Sequence, residues 1–438
     1  MSTIGLVSLG CAKNLVNSEQ MLYLLQEAGF EIVPTPDDCD VAIVNTCGFI
    51  EAAKTEAIDE ILRLGELKSE GRVGKIIVAG CLSQRYRDEM LSEFPEVDVI
   101  VGVGSFAEIA EAAEAALAGE RRVFAGDVER ASDDLPRVVT TPSAWAYLKI
   151  ADGCDNRCAF CVIPSIRGGY RSRAMESVIE EARDLTESGV RELILIAQDT
   201  TRYGLDLYGE RRLPALLREL EKLPNLRWLR LHYLYPDEID ETLLDTIAES
   251  DKILRYFDVP IQHISNTILK TMRRRGTAEQ VRGLIARLRA RFPDGVIRTS
   301  LIAGLPGEGE REFEELCDFL REAKLERAGV FVYSPEEGTA AAEMERPDAD
   351  VASRRAELAV DIQSRVMDDF NARRVGTEVD ALVEDYDEET AEYLARTYAE
   401  SPDVDGTIRV RAEGLAIGEF ITIRIIAAED GIVTAIPV

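Results

Sequence analysis

The chain has 438 residues, with 81 acidic against 51 basic side chains and a formal net charge of −30. This balance argues against extended nucleic-acid contact, which depends on Lys and Arg neutralising phosphates. It suits a basic protein partner, although solubility or a salty habitat would also favour it. The length predicts two or three domains. Because no apolar run reaches the roughly 18 residues that span a membrane and no signal-peptide pattern is present, we expect a cytoplasmic protein whose cysteines serve metal binding or catalysis.

Three apolar runs in the N-terminal part of the chain each end in a cysteine. They are residues 4–11, 41–47 and 75–81, which end in Cys11, Cys47 and Cys81. Such runs, alternating with helical patterns, indicate buried parallel strands, so we predict an α/β parallel-sheet domain over residues 1–135. The carboxyl ends of parallel strands share one edge, where these sheets bind ligands. The three cysteines should therefore converge as a cluster site, unless they are coincidental core residues.

Alternating strands and helices make up the middle of the chain. A proline-containing stretch without periodicity, residues 132–143, predicts a linker before it. The predicted strands are residues 145–150, 192–197, 227–231, 255–259, 296–302 and 329–333. Six β/α repeats predict an open parallel (β/α)6 barrel over residues 140–373, related to the eight-fold barrel, with its chemistry at the carboxyl ends of the strands.

The loop after the first barrel strand carries Cys154, Cys158 and Cys161 in a C-x-x-x-C-x-x-C pattern. Three thiolates at this spacing can hold three corners of a four-iron cube. Iron–sulfur clusters usually take four cysteines and no fourth lies nearby, so one iron would stay open for a small molecule. The alternative is a structural zinc site, but such a site needs four ligands, and the two histidines are far along the chain.

Polar residues and glycine follow other barrel strands, where a ligand would lie. These residues are Gln198 and Asp199 after the second strand, Gln262 and His263 after the fourth, and Gly304 after the fifth. His263 is open to two interpretations, a satisfied buried histidine or an acid–base group. Arg167 begins a cluster of three arginines that could bind a carboxylate through two parallel hydrogen bonds. Solvation or pairing with acidic residues would explain the cluster equally well.

The last segment, residues 374–438, changes to short alternating runs separated by turn residues. The runs are residues 378–383, 392–398, 407–412, 419–426 and 431–437. Five short strands predict a small antiparallel β-barrel. From Glu378 to Val438 there are fifteen acidic residues and four arginines, a balance that disfavours phosphate binding and favours a basic protein partner.

These three units and six cysteines resemble the methylthiotransferases of the radical S-adenosylmethionine (SAM) superfamily, and the last barrel is similar to a TRAM domain. The resemblance implies two 4Fe-4S clusters. One, held by the C-x-x-x-C-x-x-C loop, would bind SAM and cleave it to a radical. The other, at the three strand-end cysteines, would supply or carry sulfur. The SAM-contacting positions implied are Gln198, Asp199, Gln262, Gly304 and Arg167.

Local motifs indicate which member of the family the chain resembles. The segments SLGCAKN (8–14), NTCGFI (45–50) and IPSIRG (163–168) are similar to the RimO type. That type modifies the β-carbon of an aspartate in the twelfth small-subunit ribosomal protein. The resemblance also implies an external electron donor, such as flavodoxin or ferredoxin, and a sulfur donor. Asp152 stands where relatives often carry Glu, which is a conservative departure.

Three other functions remain open from the sequence. The nearest is a tRNA adenosine methylthiotransferase with the same chemistry, which would need a basic surface that the composition does not show. Another is a non-catalytic iron–sulfur or zinc protein that docks on the ribosome through its acidic barrel. A third is a radical SAM enzyme without sulfur transfer, in which the three N-terminal cysteines would be idle.

Overall fold

The computed structural model describes residues 1–130, 134–142 and 144–438, except for the side chains of residues 88 and 130. Its first unit contains six strands: β1 (Thr3–Ser8), β2 (Glu31–Val33), β3 (Cys39–Thr46), β4 (Val73–Gly80), β5 (Val99–Gly102) and β6 (Arg122–Phe124). They form one sheet in the order β2-β1-β3-β4-β5-β6, and every pair is parallel. The predicted parallel-sheet domain is confirmed, with three further short strands.

Helices cover both faces of this sheet. They are α1 (Ala12–Glu27), α2 (Glu51–Ser69), α3 (Cys81–Glu93) and α4 (Ile109–Leu117), with 3₁₀ turns at Val103–Glu108 and Val128–Arg130. Successive side chains of a strand point to opposite faces. Ile43 of β3 accordingly joins the cluster that contains Met21 of α1, whereas Val44 joins the cluster that contains Ile61 of α2. The apolar runs are continuous because both faces are buried.

The second unit is an open parallel barrel. Its strands are β7 (Trp145–Lys149), β10 (Glu192–Ile196), β11 (Trp228–Leu231), β12 (Ile253–Asp258), β13 (Val296–Ala303) and β14 (Arg327–Val332), and a two-stranded pair, β8 (Ala151–Asp152) and β9 (Arg171–Ser172), follows β7. The six barrel strands pair in chain order and end in two edges, β7 and β14. This confirms the predicted open (β/α)6 barrel.

Helices lie between and after the strands of this unit. They are α5 (Ile163–Arg167), α6 (Met175–Glu187), α7 (Leu205–Tyr208), α8 (Leu213–Leu220), α9 (Glu241–Glu249), α10 (Asn266–Thr271), α11 (Ala278–Arg291), α12 (Glu310–Ala323) and α13 (Ala349–Arg374), with 3₁₀ turns at Thr200–Arg202, Pro236–Glu238 and Ala340–Glu343. Alternate side chains of the strands, such as Leu195 and Leu231, pack with apolar residues of α6, α8 and α9. No helix within the described ranges is long and apolar enough to cross a membrane.

The third unit is a closed five-stranded barrel. Its strands are β15 (Glu378–Asp387), β16 (Glu392–Arg396), β17 (Ile408–Val410), β18 (Phe420–Glu429) and β19 (Ile432–Pro437). They close in the order β15-β16-β17-β19-β18. All pairs are antiparallel except β17 with β19. The predicted small barrel is therefore confirmed, with one parallel pair that the alternating pattern could not reveal.

The third unit packs against the end of the larger barrel at which its strands begin. The segment 397–405, between β16 and β17, contacts side chains that begin or line five barrel strands. Its contacts are Tyr147 with Asp403 at 3.1 Å, Arg230 with the carbonyl of Tyr398 at 2.9 Å, His232 with Ser401 at 2.8 Å, Tyr256 with Asp405 at 2.5 Å, Arg298 with Asp405 at 3.7 Å and Arg327 with Glu400 at 2.9 Å. This end of the barrel is thus filled, and the carboxyl ends of the strands are left for a site.

The predicted linker runs along α1. Residues 132, 133 and 143 of it lie outside the described residues. In the described part, the amide of Val138 donates to the carbonyl of Glu19 at 3.2 Å, and the amide of Thr140 donates to the Glu19 carboxylate at 2.7 Å. Arg137 pairs with Glu19 and, at 2.7 Å, with Glu181 of α6. These bonds join the first unit to the barrel.

Candidate functional site

The loop with Cys154, Cys158 and Cys161 lies at the carboxyl end of β7, framed by the β8–β9 pair. Gly153 has φ +76°, and a Cβ there would lie 1.9 Å from the carbonyl oxygen of Gly169. Only glycine therefore allows this close crossing of the two segments. Within the loop, the amide of Cys154 donates to the carbonyl of Gly168 at 3.1 Å, and the amide of Cys161 donates to the carbonyl of Cys158 at 3.1 Å. The backbone folds the three cysteines into one compact turn.

The three cysteines of this loop form no disulfide, and the pKa values of two of them are strongly raised. Burial raises the pKa of Cys154 to about 11 and that of Cys161 to about 12. A metal cluster binds thiolates, so its binding would release protons from these groups. A cation also lies beside the loop, because Arg274 donates to the Cys158 sulfur at 3.6 Å.

Polar side chains at neighbouring strand ends leave acceptors for a ligand. Asn156 donates to the Asp199 carboxylate at 2.7 Å, and Gln198 donates to Asp152 at 2.6 Å. Burial raises the pKa of Asp199. The remaining amide oxygens of Asn156 and Gln198, and the Tyr235 hydroxyl, are buried without a hydrogen-bond partner in the described part of the chain. Buried polar groups are normally satisfied, so these atoms fit a polar ligand such as SAM.

Two other predicted SAM contacts, Gln262 and Gly304, lie at the same end of the barrel. Gln262 has φ +70°, and its backbone bridges to β13 through the carbonyl of Ser300 and the amide of Ile302. Gly304 has φ +81°, and a Cβ there would lie 2.3 Å from the Ala352 Cβ. The amide of Gly304 already donates to Glu308 at 3.0 Å. The structure thus uses the backbone of both residues to shape the strand ends.

His263 is fully buried and held by neighbours of its own. Its Nδ1 accepts a hydrogen bond from the amide of Ser265 at 3.0 Å, and its Nε2 lies 3.4 Å from Glu308. Glu308 in turn pairs with Arg355 at 3.0 Å. These contacts satisfy Nδ1, whereas Nε2 is buried without a hydrogen-bond partner among the described residues.

The second set of cysteines lies at the carboxyl ends of the adjacent strands β1, β3 and β4. Cys11 precedes α1, Cys47 follows β3, and Cys81 begins α3. Gly10 has φ +89°, and a Cβ there would lie 2.6 Å from the Cys47 Cβ. Gly80 has φ +99°, and a Cβ there would lie 2.4 Å from the Asn45 amide oxygen. The two glycines therefore let the strand ends approach closely, and the thiols of Cys81 and Cys11 lie near enough to Cys47 to affect its pKa.

The pKa values of this set diverge. Burial, together with the neighbouring thiols of Cys81 and Cys11, raises the pKa of Cys47 to about 12. Burial also raises the pKa of Cys81, against the charge of Arg167. Burial acts on Cys11 in the same direction, but the charges of Lys13 and Arg167 outweigh it and hold the pKa of Cys11 below its usual value.

Neither set is arranged as a site for a single metal ion. Within the described ranges, no group of three or more His, Cys, Asp and Glu side chains could ligate one ion together. A four-iron cube makes a different demand, because each of its cysteine ligands binds a different iron. Two sets of three free thiols, each at the carboxyl edge of a parallel sheet, fit that demand.

Arg167 connects the two sets. Its guanidinium is buried and donates to Asp152 at 2.8 Å and to the Cys81 sulfur at 3.4 Å. It also donates to Asn17 at 3.0 Å and to Asn14 at 3.3 Å, both in α1. The family resemblance implied a contact between Arg167 and SAM; in the structure the Arg167 guanidinium contacts the Cys81 sulfur of the N-terminal set. Of its neighbours, Arg173 pairs with acidic residues, Asp134 at 2.7 Å and Glu181 at 2.5 Å.

Three segments of the chain match known protein families. Residues 3–102 match the model described as uncharacterized protein family UPF0004, residues 148–320 match the radical SAM superfamily, and residues 375–435 match the TRAM domain. The chain is 48% identical over 430 residues to the ribosomal protein uS12 methylthiotransferase RimO of Desulforamulus reducens, covering 97% of each chain. The chain belongs to the RimO methylthiotransferase family. A RimO of Acetivibrio thermocellus is 46% identical over 441 residues, covering 98% of this chain and 96% of that protein.

Solved structures share the fold of this RimO-family enzyme. The radical SAM methyltransferase TsrM from Kitasatospora setae, solved with cobalamin and a [4Fe-4S] cluster, superposes with a TM-score of 0.60 at 16% identity, covering 78% of this chain and 74% of that chain. The cobalamin-dependent radical enzyme OxsB, solved with aqua-cobalamin and SAM, gives a TM-score of 0.51 at 14% identity, covering 84% of this chain and 56% of that chain. At these identities the likeness concerns the fold alone.

Several residues of the site were not found by sequence reasoning. Arg274 lies beside Cys158, and its guanidinium stacks 4.3 Å from the centre of the Tyr235 ring. The run of three arginines at 273–275 was a possible signal for it. Lys149 is buried 3.2 Å from Asp152. It gave no signal, because a lysine that ends an apolar strand ordinarily reaches solvent.

Proposed function

We propose that this enzyme adds a methylthio group to the β-carbon of an aspartate in ribosomal protein uS12. The printed function of its relatives suggests the protein substrate. The observation that carries the chemistry is the presence of two sets of three free cysteines, one on each parallel sheet. The Arg167 guanidinium lies between them, because it donates to the Cys81 sulfur and to Asp152, two residues before the first loop cysteine. Sulfur insertion by radical chemistry calls for two such sites, and a simple SAM-cleaving enzyme would need only one.

In this proposal each set of cysteines holds its own 4Fe-4S cluster. Cys154, Cys158 and Cys161 would hold the SAM-binding cluster, and the three strand-end cysteines would hold the second. When bound, the clusters and SAM would supply the radical that opens a C–H bond and the sulfur that replaces the hydrogen. The chain would orient SAM through buried polar atoms that have no hydrogen-bond partner. Two of these are the amide oxygen of Asn156, in the cysteine loop, and that of Gln198, after the second barrel strand.

The cations near the cysteine loop support this placement of SAM. Arg274 donates to the Cys158 sulfur and stacks on the Tyr235 ring. The guanidinium of Arg275 lies over the same ring, 4.5 Å from its centre. A guanidinium binds carboxylates well, so these arginines are candidates for the carboxylate of SAM. Gln198, Asp199, Gln262, Gly304 and Arg167 remain predictions as SAM contacts.

The surface of the third unit supports a basic protein substrate over RNA. Its exposed acidic residues are Glu378, Asp385, Glu388, Glu389, Asp403, Glu413, Glu419, Glu429 and Asp430. They would attract a basic ribosomal protein and repel phosphates. We further propose a cytoplasmic enzyme that receives electrons from a flavodoxin or ferredoxin and renews its sulfur from a separate donor.

A substrate competition tests the proposal. The anaerobically reconstituted enzyme, with reductant and SAM, receives uS12 in one reaction and unmodified tRNA in another. Mass spectrometry then follows the addition of one methylthio group and locates it by fragmentation. We expect modification of an aspartate of uS12; modification of the tRNA alone would refute the assignment of the substrate.

Cysteine variants test the two sites separately. Cys158→Ala should abolish SAM cleavage, whereas Cys47→Ala should leave SAM cleavage measurable and stop sulfur insertion. Cys39→Ala is the matched control, because Cys39 is equally part of the N-terminal sheet but its thiol donates only to the carbonyl of Pro36, at 3.4 Å, among the hydrogen bonds described. SAM cleavage retained by Cys158→Ala would show that the clusters have been assigned wrongly.

A further inference from the structure

Arg167 is held in a position that needs an explanation beyond domain packing. It ends the short helix α5, directly after the cysteine loop, and its side chain is 1% exposed. The guanidinium reaches out of the barrel domain and into the first unit, where it touches the sulfur of Cys81. Burying a cation requires compensation, which the Asp152 carboxylate supplies here, with the Cys81 sulfur as a further acceptor.

Asp152 continues the connection on the other side. Its carboxylate accepts from Arg167 at 2.8 Å, from Gln198 at 2.6 Å and from the amide of Gly153 at 2.8 Å. Gly153 is the residue before the first cysteine of the loop. A continuous path of hydrogen bonds therefore runs from the sulfur of Cys81 through Arg167 and Asp152 to the backbone of the cysteine loop.

We propose that Arg167 is a positioning residue that sets the reduction potential of the cluster held at Cys11, Cys47 and Cys81, with Asp152 opposing its charge. This inference rests on the proposed function, since it requires a cluster at the second set of cysteines. It assigns Arg167 to the sulfur site, as an alternative to the predicted contact with SAM.

The sign of the effect follows from charge. Reduction adds one electron to a cluster, and a nearby cation or a hydrogen bond to a ligand sulfur stabilises the added charge. Arg167 should therefore raise the potential. Asp152 shares the same guanidinium and carries the opposite charge, so its removal should leave more of the cation's effect on Cys81. Loss of each partner should shift the potential in opposite directions.

The test measures the second cluster without the first. The full-length chain with Cys154→Ala, Cys158→Ala and Cys161→Ala is reconstituted with iron and sulfide under anaerobic conditions. Iron content is measured, and the midpoint potential is determined by a redox titration followed by electron paramagnetic resonance. In this background we compare Arg167→Met, Arg167→Lys and Asp152→Asn.

Arg137→Met is the matched control. Arg137 is also a buried arginine that joins the first unit to the barrel, and its partners are Glu19 and Glu181. Its described bonds go to carboxylates and the carbonyl of Tyr147, with no sulfur among them. Its loss should disturb domain packing without changing the potential of the cluster.

We expect Arg167→Met to lower the midpoint potential, Asp152→Asn to raise it, and Arg167→Lys to lie between Arg167→Met and the parent. A cluster that assembles with the same potential in Arg167→Met as in the parent overturns the inference and leaves the proposed function standing. If Arg167→Met does not fold, unchanged potentials in both Arg167→Lys and Asp152→Asn overturn it equally. If no cluster assembles in the parent background, the inference and the proposed second cluster both fail.

Discussion

Removing the Glu192 carboxylate should loosen the junction between the two barrels. Glu192 is fully buried and accepts from Arg230 at 2.7 Å and from Arg396 at 2.7 Å. Burial opposes its ionisation, but the charges of Arg396 and Arg230 outweigh burial and hold the pKa of Glu192 below its usual value. In Glu192→Ala, Arg396 would keep one carboxylate, that of Glu384 at 2.6 Å, and Arg230 would keep the carbonyls of Tyr398 and Thr397 as its described partners.

The expected cost comes from the uncompensated charge. Removing one partner of a buried ion pair typically costs about 3–5 kcal/mol. For a urea dependence of about 3 kcal/mol per molar, this loss lowers the unfolding midpoint by roughly 1 M or more. The only two tryptophans of the chain report on this junction. Trp228 packs against Phe420 with ring centres 4.6 Å apart, and Trp145 lies 5.8 Å from the Arg396 guanidinium.

The assay is urea unfolding of the reconstituted enzyme, followed by tryptophan fluorescence. Glu378→Ala is the matched control, because Glu378 pairs with Arg424 at 2.6 Å on the same small barrel but both side chains are 48% exposed. Exposed pairs contribute at most about 1 kcal/mol. A loss for Glu192→Ala no larger than that for Glu378→Ala would refute the view that this buried network fastens the barrels.

Three further predictions follow from single features. Gly153→Ala places a methyl group 1.9 Å from a backbone carbonyl at φ +76°, so the first cluster should not assemble, with loss of about half of the bound iron as the readout. Burial lowers the pKa of His232 to about 3, whereas an unfolded histidine binds a proton near pH 6.5. The free energy of unfolding should therefore fall as the pH drops below about 6.5, by at most about 1.4 kcal/mol per pH unit. His232→Gln should remove this part of the pH dependence in urea titrations. Glu388→Lys with Glu389→Lys should raise the KM for uS12 and leave SAM cleavage unchanged, whereas Glu187→Lys, an exposed change on the larger barrel, should leave that KM unchanged.

The long strands could be predicted from sequence, but several of the short ones could not. Runs such as 41–47 and 296–302 are long enough to show continuous or alternating burial, and they became β3 and β13. The strands β2 and β6 have three residues each, too few for a period to register. The parallel pairing of β17 with β19 depends on how the chain closes the small barrel, which no local pattern expresses.

Sequence analysis predicted the two sets of cysteines but not the contacts of Arg167, which lies between them. Cys11, Cys47 and Cys81 were predicted because each stands at a strand end, and the parallel order of a sheet brings strand ends together. Cys154, Cys158 and Cys161 were predicted from their spacing in one loop. Arg167 follows that loop in the sequence, but its side chain is long enough to serve either domain. Its partner was decided by the docking of the first unit onto the barrel, in which Asn14 and Asn17 of α1 come to lie beside it.

The net charge does not show which acidic residues are exposed to a partner, and the structure does. Glu400 is buried and accepts from Arg374 at 2.5 Å and from Arg327 at 2.9 Å, and the charges of these two arginines outweigh its burial and lower its pKa to about 2. Such a residue fastens the small barrel and presents no charge to a partner. Glu388 and Glu389, by contrast, lie exposed after β15. Composition counts both kinds alike, so the electrostatic argument for a basic substrate depends on the exposed residues alone, and only substitutions there can test it.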